Sequence, residues 1–247
     1  MKKLFKKILG PYLISKVRTK KAYDIGRRRI FYSSFVRKNE LCFDIGANIG
    51  NRITPLLALG AKIVAVEPQE ICHAYLKKKF GNKIEIITKG LGDSEGSKEF
   101  HLSNTPTLSS FSEEWINSVK EARFKDITWN RVVLVEMTTL DKLIEQYGIP
   151  TFIKIDVEGY ELAVLQGLTN PVKMISFEYT VPEQAGRPAM CIEQIEKSNP
   201  NIECNYSIGE SMEFAKNEWL PSEEMKKHML SDEFTNTIFG DVYVRTR

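Results

Sequence analysis

The residues whose types and spacing could do chemistry fall in two runs of the chain. The first is Leu41-Cys42-Phe43-Asp44-Ile45-Gly46-Ala47-Asn48-Ile49-Gly50, an apolar stretch that breaks into glycines. It reads as a buried strand turning into a helix. Glycines remove the Cβ barrier there and the helix start offers free N–H groups, so a ligand can approach the backbone of Gly46, Ala47, Asn48 and Gly50. The spacing is GxxxG, not the GxGxxG of a dinucleotide loop. An acid at Asp44, two residues before the first glycine, would repel a pyrophosphate and suit an ammonium group. Glu67-Pro68 follows at the end of a second apolar run. In doubly wound sheets an acid at that strand tip accepts hydrogen bonds from ribose hydroxyls; the alternative is that Glu67 caps the helix beginning near Gln69. Leu91-Gly92-Asp93 follows a third run, where a nucleoside's base would lie. Asp93 either accepts from its amino group or simply forms the turn of Gly92-Asp93-Ser94.

The second run, residues 151–168, is a strand, an acidic tip and an amphipathic helix. Asp156 and Glu158 project from the carboxyl edge of the sheet, where ligands of such folds bind, and strand alternation puts them on one side. Asp156 is the first candidate for a general base or a hydroxyl-positioning carboxylate, and Glu158 the second. A carboxylate with an ordinary pKa near 4 is a weak base for an alcohol, so it acts late in the reaction or has its pKa raised by the neighbouring acid. Asp156 could instead touch a cofactor, and Glu158 could cap the helix starting near Tyr160 or pair with Lys154. Asp156, Glu158 and Glu178 could also form an oxygen-rich divalent-metal site. None is flanked by the usual water-holding pattern, so a metal is not favoured. His73, His101 and His228 share no ligand spacing.

The elements that must position these residues follow from hydrophobic patterning. Strands are expected at Leu41–Ile45, Lys62–Val66, Ile84–Thr88, Thr151–Asp156 and Lys173–Tyr179, with helices between them at Asn51–Leu59, Gln69–Phe80, Leu140–Tyr147 and Glu161–Leu168. This alternation means βαβ units and a mostly parallel, doubly wound α/β sheet of Rossmann-like kind. An insertion at about 92–138 is expected to hold strands at Ser97–Leu102 and Val132–Thr138, a polar loop at Ser103–Ser112 and a helix near Glu113–Arg123. Thr237 to Arg247 reads as a final strand.

The 247 residues, 42% hydrophobic, suit one soluble domain at 39–247 with a basic, partly helical extension at 1–38. Residues 1–38 carry thirteen Lys/Arg against the single acid Asp24. That is a charge of +12 in a chain whose total is +3, leaving −9 for the remainder. Leu4, Phe5, Ile8, Leu9, Tyr12 and Leu13 recur among the lysines at helical spacing. The segment is either an amphipathic helix resting on an anionic membrane or a lid packed on the domain. No stretch reads as a secretory signal or a membrane span, so a cytoplasmic protein is expected, at most peripheral at the inner membrane surface. Four cysteines without a CxxC pair read as buried free thiols.

With FDIGANIG at 43–50, VEP at 66–68, LGDSEG at 91–96, TLDKLI at 139–144 and IKIDVEGYELAVLQGL at 153–168, the chain resembles the FkbM family of methyltransferases. Ser109-Ser110 and ISFEY at 175–179 fit the same layout, and the resemblance spans roughly residues 41–180. It implies a class I methyltransferase architecture, S-adenosylmethionine as donor, and a hydroxyl acceptor on a sugar, surface-glycan precursor or natural product. Asp44 then faces the methionine ammonium. A nicotinamide-dependent oxidoreductase is disfavoured by the missing GxGxxG, and nucleic-acid methylation by the absence of an Asn/Asp-Pro-Pro-aromatic tetrapeptide. A non-catalytic cofactor-binding partner in a glycan-assembly complex is the remaining alternative. Residues 1–38 would bring such an enzyme to an anionic membrane or a lipid-linked substrate.

Overall fold

Short apolar runs become central strands only when both faces are covered, and here helices cover both. A computed structural model describes residues 22–247; the stripe read between Leu4 and Leu13 lies outside them. The chain begins with α1, helical over residues 22–32, then β1 (Leu41–Ile45), α2 (Ile53–Ala58), β2 (Lys62–Val66), α3 (Glu70–Phe80) and β3 (Glu85–Ile87). An inserted unit follows, made of β4 (Gly90–Leu91), β5 (Gly96–Leu102), α4 (Glu113–Lys120) and β6 (Arg131–Thr138). The main fold resumes with α5 (Leu140–Tyr147), β7 (Phe152–Ile155), α6 (Glu161–Gln166) and β8 (Met174–Thr180). It closes with α7 (Arg187–Ser198), β9 (Ile202–Ile208), β10 (Leu220–Pro221), α8 (Ser222–His228), α9 (Asp232–Thr235) and β11 (Phe239–Thr246).

The eight-stranded sheet has the order β10-β9-β11-β8-β7-β1-β2-β3. From β3 to β8 every pairing is parallel, whereas β11 runs antiparallel to both β8 and β9. This is the doubly wound, Rossmann-like sheet expected from the alternation of strands and helices. The chain crosses over at β1, between β2 and β7, so the crevice outside the strand tips opens there.

Register sorts the two faces. Phe43, Ile45, Ile153, Ile155, Ile175, Phe177, Val242 and Val244 pack under α5 to α9. On the other face, Cys42, Ile63, Phe152 and Met174 meet α1, α2 and α3 through Tyr32, Ile53, Leu56 and Leu76. That second face also carries a polar row. Asp44 pairs in register with Lys154, Lys154 with Ser176, Ser176 with Tyr243, and Tyr243 with Asn205. All five are buried. Desolvated polar groups across a central sheet are unfavourable unless paired, so this row marks where the fold is committed to a site.

The inserted unit forms its own three-stranded sheet, β4-β6-β5, closed by Phe100, Phe111, Val135 and Met137. Its first strand, Gly90–Leu91, precedes the segment 92–138. In α1, Phe31 and Tyr32 are buried, and with Phe35 just beyond the helix they make ring contacts to Phe152 and Tyr243. The four cysteines are free and buried. Among the described residues no helix is long and apolar enough to cross a membrane.

Candidate active site

β1 continues past Ile45 by lending its carbonyl to the Asp156 N–H (2.9 Å), while Gly46 N and Ala47 N donate to the Val66 carbonyl. Three strand tips are thus tied at one point. A Cβ on Gly46 would lie 1.8 Å from the Asp156 carbonyl oxygen, and its φ is +81°. The first glycine therefore serves the close approach of two strand tips as well as access to the backbone. Gly46→Ala is expected to lower stability by about 3 kcal/mol, read from the urea midpoint, because backbone must move to admit the methyl group. Gly50, at φ +73°, is a packing glycine: a Cβ there would meet the Phe80 ring at 2.4 Å.

Glu67 is 2% exposed and accepts from Asn48 N and Gln69 N, both at 2.8 Å. It both staples the glycine loop to the tip of β2 and binds the residue that caps α3. The two readings of this acid are not exclusive, since each carboxylate oxygen keeps an acceptor site after one N–H. Burial raises its pKa against the pull of those N–H bonds.

Asp44 is 2% exposed and its Oδ2 has no hydrogen-bond partner. Burial pushes its carboxyl up to about 7, although Arg52 and Lys154 pull the other way. Lys154, fully buried on β7, points its ammonium at Asp241 (2.5 Å) and Asp156 (3.3 Å). Asp241 also lies 3.8 Å from Arg52, and Arg52 forks onto Glu210 at 2.7 and 2.8 Å. Glu210 receives Arg28 from α1 at 3.1 Å. Alternating charges thus run from Asp156 to the N-terminal helix. Sequence reasoning missed Asp241, Arg52, Glu210 and Arg28; the one signal was Asp241 inside the apolar strand β11, because Arg52, Glu210 and Arg28 lie at a helix start, in a turn and on α1.

Asp156, Glu158 and Glu178 each offer an oxygen within 4.8 Å of the others. The strand ends at Ile155, so a turn brings Glu158 to Asp156 where the sequence suggested alternation. Glu158 adopts φ +54° and Gly159 φ +85°. Lys154 pairs with Asp156, and the N–H groups of Val157 and Gly159 donate to Glu161, so the Glu158 carboxyl is left to the cavity. Desolvation, then the Asp156 charge, raise Glu158 and Glu178 well above the usual carboxylate range.

These groups line one cavity of about 250 Å³. It holds Asp44, Gly46, Ala47, Asn48, Glu67, Pro68, Asp156, Glu158 and Glu178. Two sequence candidates lie elsewhere. Asp93 is exposed, bonded to its neighbour Ser94, and Gly50 is buried under Phe80. The wall on the side of Leu91 is instead built by Phe100, Phe111, Gln69 and Ser109. The opposite end is walled by Arg28, Asn51, Arg52 and Glu210.

The methyltransferase FkbM domain, as a family model, matches residues 44–221. The chain belongs to the FkbM methyltransferase family. It is accordingly an S-adenosylmethionine-dependent methyltransferase. No curated protein sequence matches this FkbM chain. Similar solved structures include a TehB-like SAM-dependent methyltransferase from Corynebacterium glutamicum, at 7% identity over 95% of this chain and 99% of that one, TM-score 0.48. Another is precorrin-6y C5,15-methyltransferase from Geobacter metallireducens, at 8% identity over 92% and 86%, TM-score 0.46. A third is the plantazolicin methyltransferase BpumL in complex with SAH, at 12% identity over 98% and 90%, TM-score 0.43. The sheet order, not these distant likenesses, defines the fold of the FkbM domain.

The residues fit the donor. The unpartnered Asp44 oxygen suits an ammonium group, Glu67 retains acceptor sites for hydroxyls, and Leu91, Phe100 and Phe111 offer apolar surface to a flat base. α1 with Arg28, and β11 with Asp241, lie outside the matched FkbM segment yet complete the walls and the charge pairing of this site.

Proposed function

We propose that this FkbM methyltransferase methylates a hydroxyl oxygen, on a sugar or a sugar-bearing precursor. The observation that carries this reading is the group of three carboxyls, Asp156, Glu158 and Glu178, whose oxygens converge within 4.8 Å in the cavity. Carboxyl groups around one point can accept a hydroxyl proton and bond neighbouring hydroxyls. When bound, S-adenosylmethionine supplies a methyl group on a sulfonium, whose positive charge is lost as the methyl departs. Asp44 would hold the donor's ammonium and Glu67 its ribose. Asp156, oriented by Lys154, is the group that takes the hydroxyl proton. Glu158 and Glu178, held toward their protonated forms, can donate to acceptor oxygens as well as accept. Positioning supplies much of the acceleration of such an in-line displacement.

The triad carries a fixed cation of its own, the Lys154 ammonium 3.3 Å from Asp156. The reaction is therefore read as metal-independent, and chelation with EDTA is expected to leave the rate unchanged. The basic segment 1–38 supports presentation of the acceptor at an anionic surface, which cosedimentation with anionic vesicles tests. The main experiment incubates the enzyme and deuterated-methyl S-adenosylmethionine with separated sugar, nucleotide-sugar, lipid-linked, protein and nucleic-acid fractions. Label in an ether of a sugar hydroxyl is expected. Label confined to nitrogen, to protein or to nucleic acid would contradict the proposal. So would thermal stabilisation by NAD and not by S-adenosylhomocysteine.

A further inference from the structure

Glu158 sits where the backbone would favour glycine. A non-glycine residue at φ +54° is disfavoured, because Cβ crowds the following carbonyl. Such conformations persist only where surrounding contacts impose them, and they cluster at functional sites. The contacts here come from three elements. Glu161, the first residue of α6 and 3% exposed, accepts from Val157 N and Gly159 N, both at 3.1 Å. Ser110, fully buried in the inserted unit, donates its hydroxyl to the Glu158 carbonyl at 2.7 Å and accepts from Ser112 N at 2.8 Å. Trp115 of α4 packs on Gly159 so closely that a Cβ there would lie 2.3 Å from the indole.

Ser110 is itself fixed. Its N–H donates to the His101 carbonyl (3.1 Å) and its carbonyl accepts from His101 N (2.9 Å), an antiparallel bridge to β5. The insertion therefore grips the turn after β7 by the Ser110 hydroxyl and the Trp115 ring, and the side chain presented by that turn is the Glu158 carboxyl beside Asp156 and Glu178.

We propose that Ser110 and Glu161 are positioning residues of the methyl-transfer reaction: they hold the left-handed turn that sets the Glu158 carboxyl against the acceptor. The inserted unit thus has a role in the chemistry beyond walling the cavity. The inference rests on the reading of the carboxyl triad as the acceptor site. Ser110 and Glu161 act through Glu158, so their removal matters only while Glu158 is present.

The test uses the full chain with Ser110→Ala, Glu161→Ala, Glu161→Gln, Glu158→Gln, and Ser110→Ala combined with Glu158→Gln. Each is measured for S-adenosylhomocysteine binding by calorimetry, for methyl transfer to the acceptor that the wild-type enzyme labels, and by crystallography. Ser110→Ala and Glu161→Ala are expected to lower kcat by up to about 100-fold with S-adenosylhomocysteine affinity within about twofold of wild type. Glu161→Gln, which keeps an acceptor oxygen, restores most of the rate. Ser110→Ala adds no further loss to Glu158→Gln. Glu158→Gly, which relieves the turn, is expected to raise the thermal midpoint by about 2–4 °C while losing turnover. Multiplicative losses in the double variant, or equal losses of cofactor binding, would overturn the proposal. If the wild-type enzyme labels no hydroxyl, the acceptor reading fails by itself. The crystal structures still decide positioning, since Glu158 unmoved in both Ser110→Ala and Glu161→Ala would refute it.

Discussion

Replacing Asp44 by asparagine is expected to weaken S-adenosylhomocysteine binding by about 100-fold or more while making the ligand-free protein more stable at pH 8. The two effects share one cause. Asp44 is buried with an unpartnered oxygen, and burial raises its carboxyl from 3.8 to about 7. Below the ordinary value both folded and unfolded chains are protonated, and no difference arises. Between 3.8 and about 7 the unfolded chain loses the proton first, so stability falls as pH rises; above about 7 the penalty is constant. Its upper limit is on the order of 4 kcal/mol. Asp44→Asn removes that penalty, so its thermal midpoint should exceed wild type at pH 8 and match it at pH 4. The ligand's ammonium requires the ionised form, and losing a buried charge pair costs about 2–5 kcal/mol of binding. In wild type, affinity should rise up to about tenfold per pH unit below 7 and then level off. Calorimetry from acid to alkaline pH reads the slope, which the variant should lack. A variant that binds as tightly as wild type would remove Asp44 from the ammonium contact.

The second large effect is on turnover. Asp156→Asn is expected to reduce methyl transfer by about 10²- to 10⁴-fold, the usual contribution of a positioned base, with S-adenosylhomocysteine affinity changed by less than about threefold. Lys154 retains its shorter contact to Asp241 in the variant, so the buried cation is not orphaned and the fold should persist. Single-turnover measurement with labelled donor separates the chemical step from binding. Equal loss of both quantities would make Asp156 a cofactor ligand instead of the base.

What could be read from the sequence was what local pattern controls. β1, β2 and α5 fall at the residues expected, because an apolar run bounded by turn residues, or a Thr139 cap followed by an amphipathic turn, is decided within ten residues. The acids at strand tips were legible for the same reason. The charge chain beneath them was not: Lys154 and Asp241 are 87 residues apart and meet only once β11 inserts beside β8. The left-handed turn at Glu158 was invisible, since the residue that suits that backbone is glycine. Asp93 stands exposed outside the cavity lining, and a Gly-Asp-Ser turn and a base-binding acid look alike in sequence. At the C-terminus the final strand was legible and is β11, whereas α8 and α9 escaped because they are only seven and four residues long. β9 alternates apolar Ile202, Cys204, Tyr206 and Ile208 with polar Glu203, Asn205 and Ser207, a period-two signal that the sequence did carry.

In the proposed function, one cavity holds the donor by Asp44 and Glu67 and presents it to the three carboxyls at the end of β7 and β8. A crystal structure of the enzyme with S-adenosylhomocysteine tests it most directly. The amino group is expected on Asp44, the ribose hydroxyls on Glu67, the adenine among Leu91, Phe100 and Phe111, and the sulfur turned toward Asp156. A nucleoside bound with its ribose away from Glu67 and its amino group away from Asp44 would contradict it.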